Sequence, residues 1–177
     1  LKNLNLWNTK VHGDICCLAN CKELENLNLW NTKVHGDISV LANCQHLIGL
    51  ALNGTKVSGA MTQGLFDVLC GVETLEMKGT AFEFAAFVIA KYKESGGRLT
   101  ELTGVPEDIK GSIDVLAFVG ADLESVDLKG CSNISGDICS FANCKELKTL
   151  ELSRTKVQGD ICCLANCKEL ENLNLWN

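Results

Sequence analysis

The chain has 177 residues, 46% of them hydrophobic and 21% charged, with a formal net charge of -6 and a pI near 5.1. The acidic balance argues against nucleic acid and anionic membrane surfaces as partners, and no run reaches the roughly 18 apolar residues of a membrane span. One proline, Pro106, excludes a proline-rich linker, and 11 cysteines, an odd number, read as thiols of a reducing intracellular compartment, with an organelle or the extracellular space left open.

Taken in chain order, the sequence repeats. From Leu1 it follows L-x-x-L-x-L-x-x-T-x-V-x-G-D-I-x-x-L-A-N-C-x-x. The pattern restarts at Leu24, Leu47, Val72, Leu99, Leu123, Leu147 and Leu170, at spacings of 23 to 27 residues. The segment ICCLANCKELENLNLWN occurs letter for letter at Ile15–Asn31 and at Ile161–Asn177. L-x-L alternates, which predicts a short strand with one buried face. Leu4 and Leu6 then point inward, Asn5 and Trp7 outward. Thr9 and Val11 turn the chain back, and Gly13 supplies a tight bend or a close backbone approach. Ile15, Leu18, Ala19 and Cys21 complete the layer. One such coil cannot bury its own apolar edge, so coils must stack with parallel strands about 4.8 Å apart.

The stretch 61–122 departs from this rule. Thr62–Cys70 has room for a helical turn or two in the third repeat. In the fourth, Phe84, Phe87, Val88 and Lys91 have helical spacing, and Gly96–Gly97 is a stop, so a helix is expected over Glu83–Glu94. The fifth repeat has Gly104 where the second leucine of L-x-L belongs. Extra length in Cys131–Ile134 lengthens the turn of the sixth. Thr9, Thr32, Thr55, Thr80 and Thr155 recur at one interior position, where a buried hydroxyl needs a backbone partner, expected in the adjacent coil. Cys21, Cys44, Cys144 and Cys167 share another and read as small buried hydrophobes.

These L-x-x-L-x-L segments, at this period, resemble the leucine-rich repeat family over all 177 residues. The G-D-I portion resembles the plant-type class and the A-N-C-x-x-L portion the cysteine-containing class, so the chain reads as a hybrid of the two. The resemblance implies an α/β leucine-rich repeat solenoid, a right-handed superhelix in one domain of about seven and a half repeats. Short parallel strands would line its concave face, with turns and short helices on the convex face. Both ends fall on a strand consensus without a capping repeat, so the expected whole is a longer array.

Function is expected on the outward strand positions. The position after L-x-L holds Trp7, Trp30, Asn53, Lys78, Lys129, Ser153 and Trp176. Two residues earlier stand Asn5, Asn28, Glu76, Asp127 and Glu151, and Arg154 lies just beyond. Trp7 and Trp30 are equivalent residues on neighbouring strands, so their rings should stack and offer a hot spot for another protein, or for a peptide or glycan. The leading reading is a non-enzymatic scaffold whose concave face binds a protein of unknown identity. Glu76, Lys78, Asp127 and Lys129 would tune register by charge. An accessory subunit of a large assembly, contacted through the convex helix and the ends, is one alternative. A secreted or cell-surface recognition domain of plant-receptor type is another. No nucleophile–base–orienter set appears, and an aspartate repeated in every G-D-I is a structural rather than a catalytic pattern. Cys16–Cys17 with Cys21 gives C-C-x3-C, but no histidine stands at a matching position, so no metal, cofactor or direct membrane insertion is expected. Homo-oligomerisation is left open. Asn53-Gly54-Thr55 and Asn133-Ile134-Ser135 match the N-glycosylation acceptor.

Overall fold

The computed structural model describes residues 1–176. The chain forms two compact units, Leu1–Ala86 and Phe87–Asn177. The first contains β1 (Asn3–Asn5), β2 (His12–Asp14), β3 (Asn26–Asn28), β4 (Lys33–Asp37), β5 (Gly49–Ala51), β6 (Lys56–Ser58), α1 (Gln63–Gly71) and β7 (Thr74–Glu76). The division falls within α2 (Glu83–Glu94), which coincides with the predicted helix. The second unit contains β8 (Glu101–Leu102), β9 (Gly111–Ser112), α3 (Leu116–Val119), β10 (Ser125–Asp127), β11 (Ile134–Asp137), β12 (Thr149–Glu151), β13 (Lys156–Gln158) and β14 (Asn172–Asn174).

Each unit has two parallel sheets. In the first unit, β1-β3-β5-β7 stacks the L-x-L strands, and Leu4 faces Leu27, which faces Leu50, which faces Leu75. In the second unit, β8-β10-β12-β14 does the same with Leu102, Val126, Leu150 and Leu173. Equivalent residues of successive coils therefore stand directly opposite each other. The inward leucines close the core: Leu27, Leu29, Leu50 and Leu52 in one unit, and Val126, Leu128, Leu150 and Leu152 in the other, are buried.

The second sheet is not evident in the sequence pattern. The T-x-V-x-G-D segments form strands, as β2-β4-β6 and as β9-β11-β13, where sequence reasoning gives only a turn. Its register differs from the first sheet. Asp14 faces His35 rather than Asp37, and Asp137 faces Gln158 rather than Asp160, so equivalent residues are two positions out of step. The stagger brings the glycine of one coil against the aspartate of the coil before. A Cβ on Gly36 would fall on the Asp14 carboxylate, and Gly59 and Gly159 stand likewise against Asp37 and Asp137. These glycines also sit at φ +103°, +110° and +127°, which side chains rarely adopt.

The aspartates cap the turns that come next in the chain. Asp14, Asp37, Asp137 and Asp160 each accept the backbone N–H two residues on, at 2.8 Å. Each thereby starts a 3-10 turn, at Ile15–Leu18, Ile38–Asn43, Ile138–Phe141 and Ile161–Asn166. In the third repeat α1 replaces the 3-10 turn, and Thr62 Oγ1 caps it by accepting the Leu65 N–H at 3.2 Å.

The recurrent threonines bond within their own coil, not to the next as expected. Thr32, Thr55, Thr80 and Thr155 each donate Oγ1–H at 2.7 Å to the carbonyl three residues back. The inter-coil positions are already taken by main-chain bonds such as Leu29 N–H to Ala51 O. The hydroxyl closes the local turn instead. Cys44, Cys144 and Cys167 are buried, and Cys21 is half-buried. Burial pushes the Cys144 thiol up to about 12, so it stays protonated. Among the described residues, no helix is long and apolar enough to cross a membrane.

Candidate functional site

A concave feature lies in the first unit, over the outward face of β1-β3-β5-β7. It is a groove of about 650 Å³ lined by Asn3, Asn5, Asn26 and Asn28, with Trp7 and Trp30 beside them. Gly49 and Ala51 supply the small residues at its middle strand, and Thr74 and Glu76 its far end. Strand alternation produces this lining, because every second residue leaves the core face. The small pair on β5 leaves the depth that larger side chains would fill.

The tryptophans meet as equivalent positions should. Their ring centroids are 5.9 Å apart with planes tilted by 32°. They remain 56% and 42% exposed, unusual for so large an apolar side chain. Their backbones are held from below. Asn5 Oδ1 accepts the Trp7 N–H, and Asn28 Oδ1 the Trp30 N–H, both at 3.1 Å. Each tryptophan is followed by an asparagine in left-handed backbone, Asn8 at φ 56° and Asn31 at φ 55°. Asn31 Nδ2 donates to Asn8 Oδ1 at 2.6 Å. Sequence reasoning misses this column, although Asn8, Asn31, Gly54, Gly79 and Gly130 mark it with the two residue types that tolerate positive φ.

Asn53 and Glu76 belong to this face but are tied together. Asn53 Nδ2 donates to Glu76 Oε2 at 3.0 Å, and Asn53 Oδ1 accepts the Lys78 N–H at 2.7 Å. Lys78 itself is exposed and not part of the groove lining.

The remaining expected residues lie in the second unit. Asp127 Oδ1 accepts the Lys129 N–H at 3.0 Å, repeating the asparagine arrangement with a charge. Burial alone would raise the Glu151 carboxyl, but the Ser153 N–H and the Asn174 amide, both at 2.9 Å, hold it below the usual carboxylate range. Arg154 occupies the left-handed position, at φ 60°, and its guanidinium lies 5.2 Å from the centre of the exposed Trp176 ring. Ser153, expected to face outward, is only 2% exposed. The two expected groups therefore stand on separate units: Asn5, Trp7, Asn28, Trp30, Asn53, Glu76 and Lys78 on one, and Asp127, Lys129, Glu151, Arg154 and Trp176 on the other.

Cysteine chemistry corrects the compartment. Cys139 and Cys163 form a disulfide. A structural disulfide forms and persists in an oxidising environment, so the reducing intracellular location expected from the odd cysteine count is wrong. The count misleads because the bridge uses one cysteine from each of two coils and leaves Cys16, Cys17 and Cys162 as exposed free thiols. The bridge joins the second residue after the cap in one coil to the third after the cap in the next, one residue off the repeat. Asp137, Cys139 and Cys163 offer ligand atoms within 4.8 Å of one another. Yet the sulfurs are bonded to each other and the carboxylate caps the Cys139 N–H, so the cluster is a staple between coils.

In each unit, every L-x-x-L-x-L segment lays one strand on the next in direct register, and each coil returns through a second strand and a capped turn. This is the leucine-rich repeat fold. No protein-family model matches the chain, and no curated protein matches it in sequence. Solved structures similar to it include an internalin from Listeria monocytogenes, at 16% identity and a TM-score of 0.37, covering 97% of this chain and 40% of that one. A second is the Arabidopsis receptor kinase HAESA in complex with the peptide hormone IDA and the co-receptor SERK1, at 23% identity and a TM-score of 0.43, covering 99% and 26%. A third is a Leptospira interrogans leucine-rich repeat protein, at 20% identity and a TM-score of 0.42, covering 100% and 43%. The chain thus spans less than half the length of each of these.

Proposed function

We propose that the first unit is a non-enzymatic protein-binding module whose concave groove receives an extended segment of another protein. The observation that carries this reading is the Trp7–Trp30 pair, exposed side by side at the edge of a groove with a small-residue floor at Gly49 and Ala51. A rigid strand face keeps both rings in place before binding, so little ordering entropy remains to be lost. Tryptophan is among the residue types most enriched in binding hot spots. Asn5 and Asn28 spend their Oδ1 atoms on the backbone, which leaves the Nδ2 donors for carbonyls of a bound chain. Glu76 adds a negative charge at one end of the groove and Lys78 a positive one nearby; in the second unit Asp127 and Lys129 form a similar pair. These charges supply register rather than most of the affinity.

The disulfide supports a secreted or cell-surface setting for this binding, the setting that the plant-type resemblance of the G-D-I portion implies. The test is selection of peptides from a displayed library on the oxidised chain, followed by titration against Trp7→Ala/Trp30→Ala. Two hot spots of about 2 kcal/mol each predict a loss of several hundred-fold or more in affinity. Selected peptides that bind the double variant unchanged would refute the groove. Protection mapped to α2 instead would move the binding surface to the helix.

A further inference from the structure

The two acceptor tripeptides, Asn53-Gly54-Thr55 and Asn133-Ile134-Ser135, look alike in sequence, but the fold treats them in opposite ways. At the first, the Asn53 amide nitrogen is bonded to Glu76 and its oxygen to the Lys78 N–H. Thr55 is 4% exposed, and its hydroxyl donates to the Leu52 carbonyl at 2.7 Å. At the second, Ile134 is fully buried, and alternation along β11 sends its two neighbours outward. Asn133 and Ser135 are both exposed, and neither side chain has a hydrogen-bond partner among the described residues.

We infer that Asn133 is an N-glycosylation site of this protein and that Asn53 is not. The transferase reads an accessible asparagine together with the hydroxyl two residues on. Asn133 Nδ2 forms a bond to the anomeric carbon of an oligosaccharide carried on a lipid diphosphate. The bond from that carbon to the diphosphate oxygen breaks, the lipid diphosphate leaves, and Nδ2 gives up one proton. No oxidant or reductant is consumed. The acceptor works in the same kind of compartment that the Cys139–Cys163 disulfide of the same unit demands, and the two observations are independent. A glycan on Asn133 projects into solvent from the turn before β11 and disturbs no hydrogen bond of its side chain. A glycan on Asn53 would sit on the nitrogen that holds Glu76, beside the proposed binding groove.

The experiment is secretion of the chain, behind a cleavable signal peptide, from a glycosylating eukaryotic cell line. Intact mass and glycopeptide mapping follow, before and after peptide-N-glycosidase. One glycan is expected, on Asn133. It should disappear in Asn133→Gln and in Ser135→Ala, which keeps the asparagine and so guards against a folding defect in the first variant, and it should persist in Asn53→Gln. An unmodified Asn133 in secreted, disulfide-bonded protein, or a glycan mapped to Asn53, overturns the inference. Either outcome leaves the groove reading standing, because that rests on the tryptophan face.

Discussion

Removing the staple between Cys139 and Cys163 should loosen one unit and spare the other. The bridge closes a loop with a sequence separation of 24. In the chain-entropy treatment a loop of that size restricts the unfolded ensemble by about 3.5 kcal/mol. Coils of a repeat protein contact mainly their neighbours, so the loss falls on the coils that the bridge joins rather than on the whole chain. The variant is Cys139→Ser/Cys163→Ser, which leaves no half-pair to find another partner. The assay is native-state hydrogen exchange read by mass spectrometry. Amides of β10 to β13 should lose protection by about 300-fold, the equilibrium equivalent of that free energy. Amides of β1 to β6 should be unchanged, and wild-type protein treated with a phosphine reductant should copy the variant. Cys162→Ser, a neighbouring exposed thiol, should change nothing. Equal exchange in variant and wild type would refute the entropic argument. Recovery of Cys139 and Cys163 as alkylated thiols from non-reduced protein would refute the bridge itself.

Three further outcomes come from the staggered sheet and its caps. Cys16 stands at the same post-cap position as Cys139, and Val40 at the same position as Cys163, so Val40→Cys should create a disulfide between the new thiol and Cys16, seen on alkylation as the loss of both thiols; an unbridged variant would show that the two units differ in coil geometry. Gly36→Ala should destabilise by more than about 1 kcal/mol, because it meets the Asp14 carboxylate at φ +103°. Gly71→Ala, at the end of α1 with open space around its Cβ, should be nearly neutral in the same urea titration, and equal effects would contradict the close-approach argument. Backbone N–H groups hold the Asp14 and Asp160 carboxyls below the usual range, and the Lys148 ammonium at 2.6 Å does the same for Glu124. A depressed carboxyl contributes stability that is complete above its ordinary value, near 4, and is lost as pH falls through its lower folded value. Melting temperature should therefore hold steady from about pH 7 to 5 and fall between about pH 4 and 2; a flat profile through that range would disprove the link.

Much of the architecture is legible in the chain itself. Alternation at Leu27-Asn28-Leu29 specifies a strand with one buried face, and recurrence of that pattern requires stacking, because one coil cannot cover its own leucines. The helix at Glu83–Glu94 is legible from the spacing of Phe84, Phe87 and Val88. The tryptophan pair is legible too, since equivalent positions on strands in direct register must meet. The column after the tryptophans is written in Asn8, Asn31 and Gly54, but alternation of leucines draws attention away from it. The second sheet is hidden because its strands are short and contain or border on a glycine, which local preference assigns to a turn.

What the sequence determined by itself is therefore everything governed by period: the L-x-L strand of each repeat, its buried face, the adjacent tryptophans and a recurrent structural aspartate. What only the tertiary structure decided is everything governed by the offset between coils. The second sheet runs two residues out of step, and nothing within one repeat encodes that number. The offset seats Gly36 against Asp14, and a further one-residue shift pairs Cys139 with Cys163 rather than with its equivalent Cys162. Cross-coil contacts of the same kind bury Thr55 and tie Asn53 to Glu76 while leaving Asn133 and Ser135 free. Local alternation sets which way a side chain faces. Packing of one coil on the next sets which atoms it meets, and the compartment and the chemistry of this protein arise from those meetings.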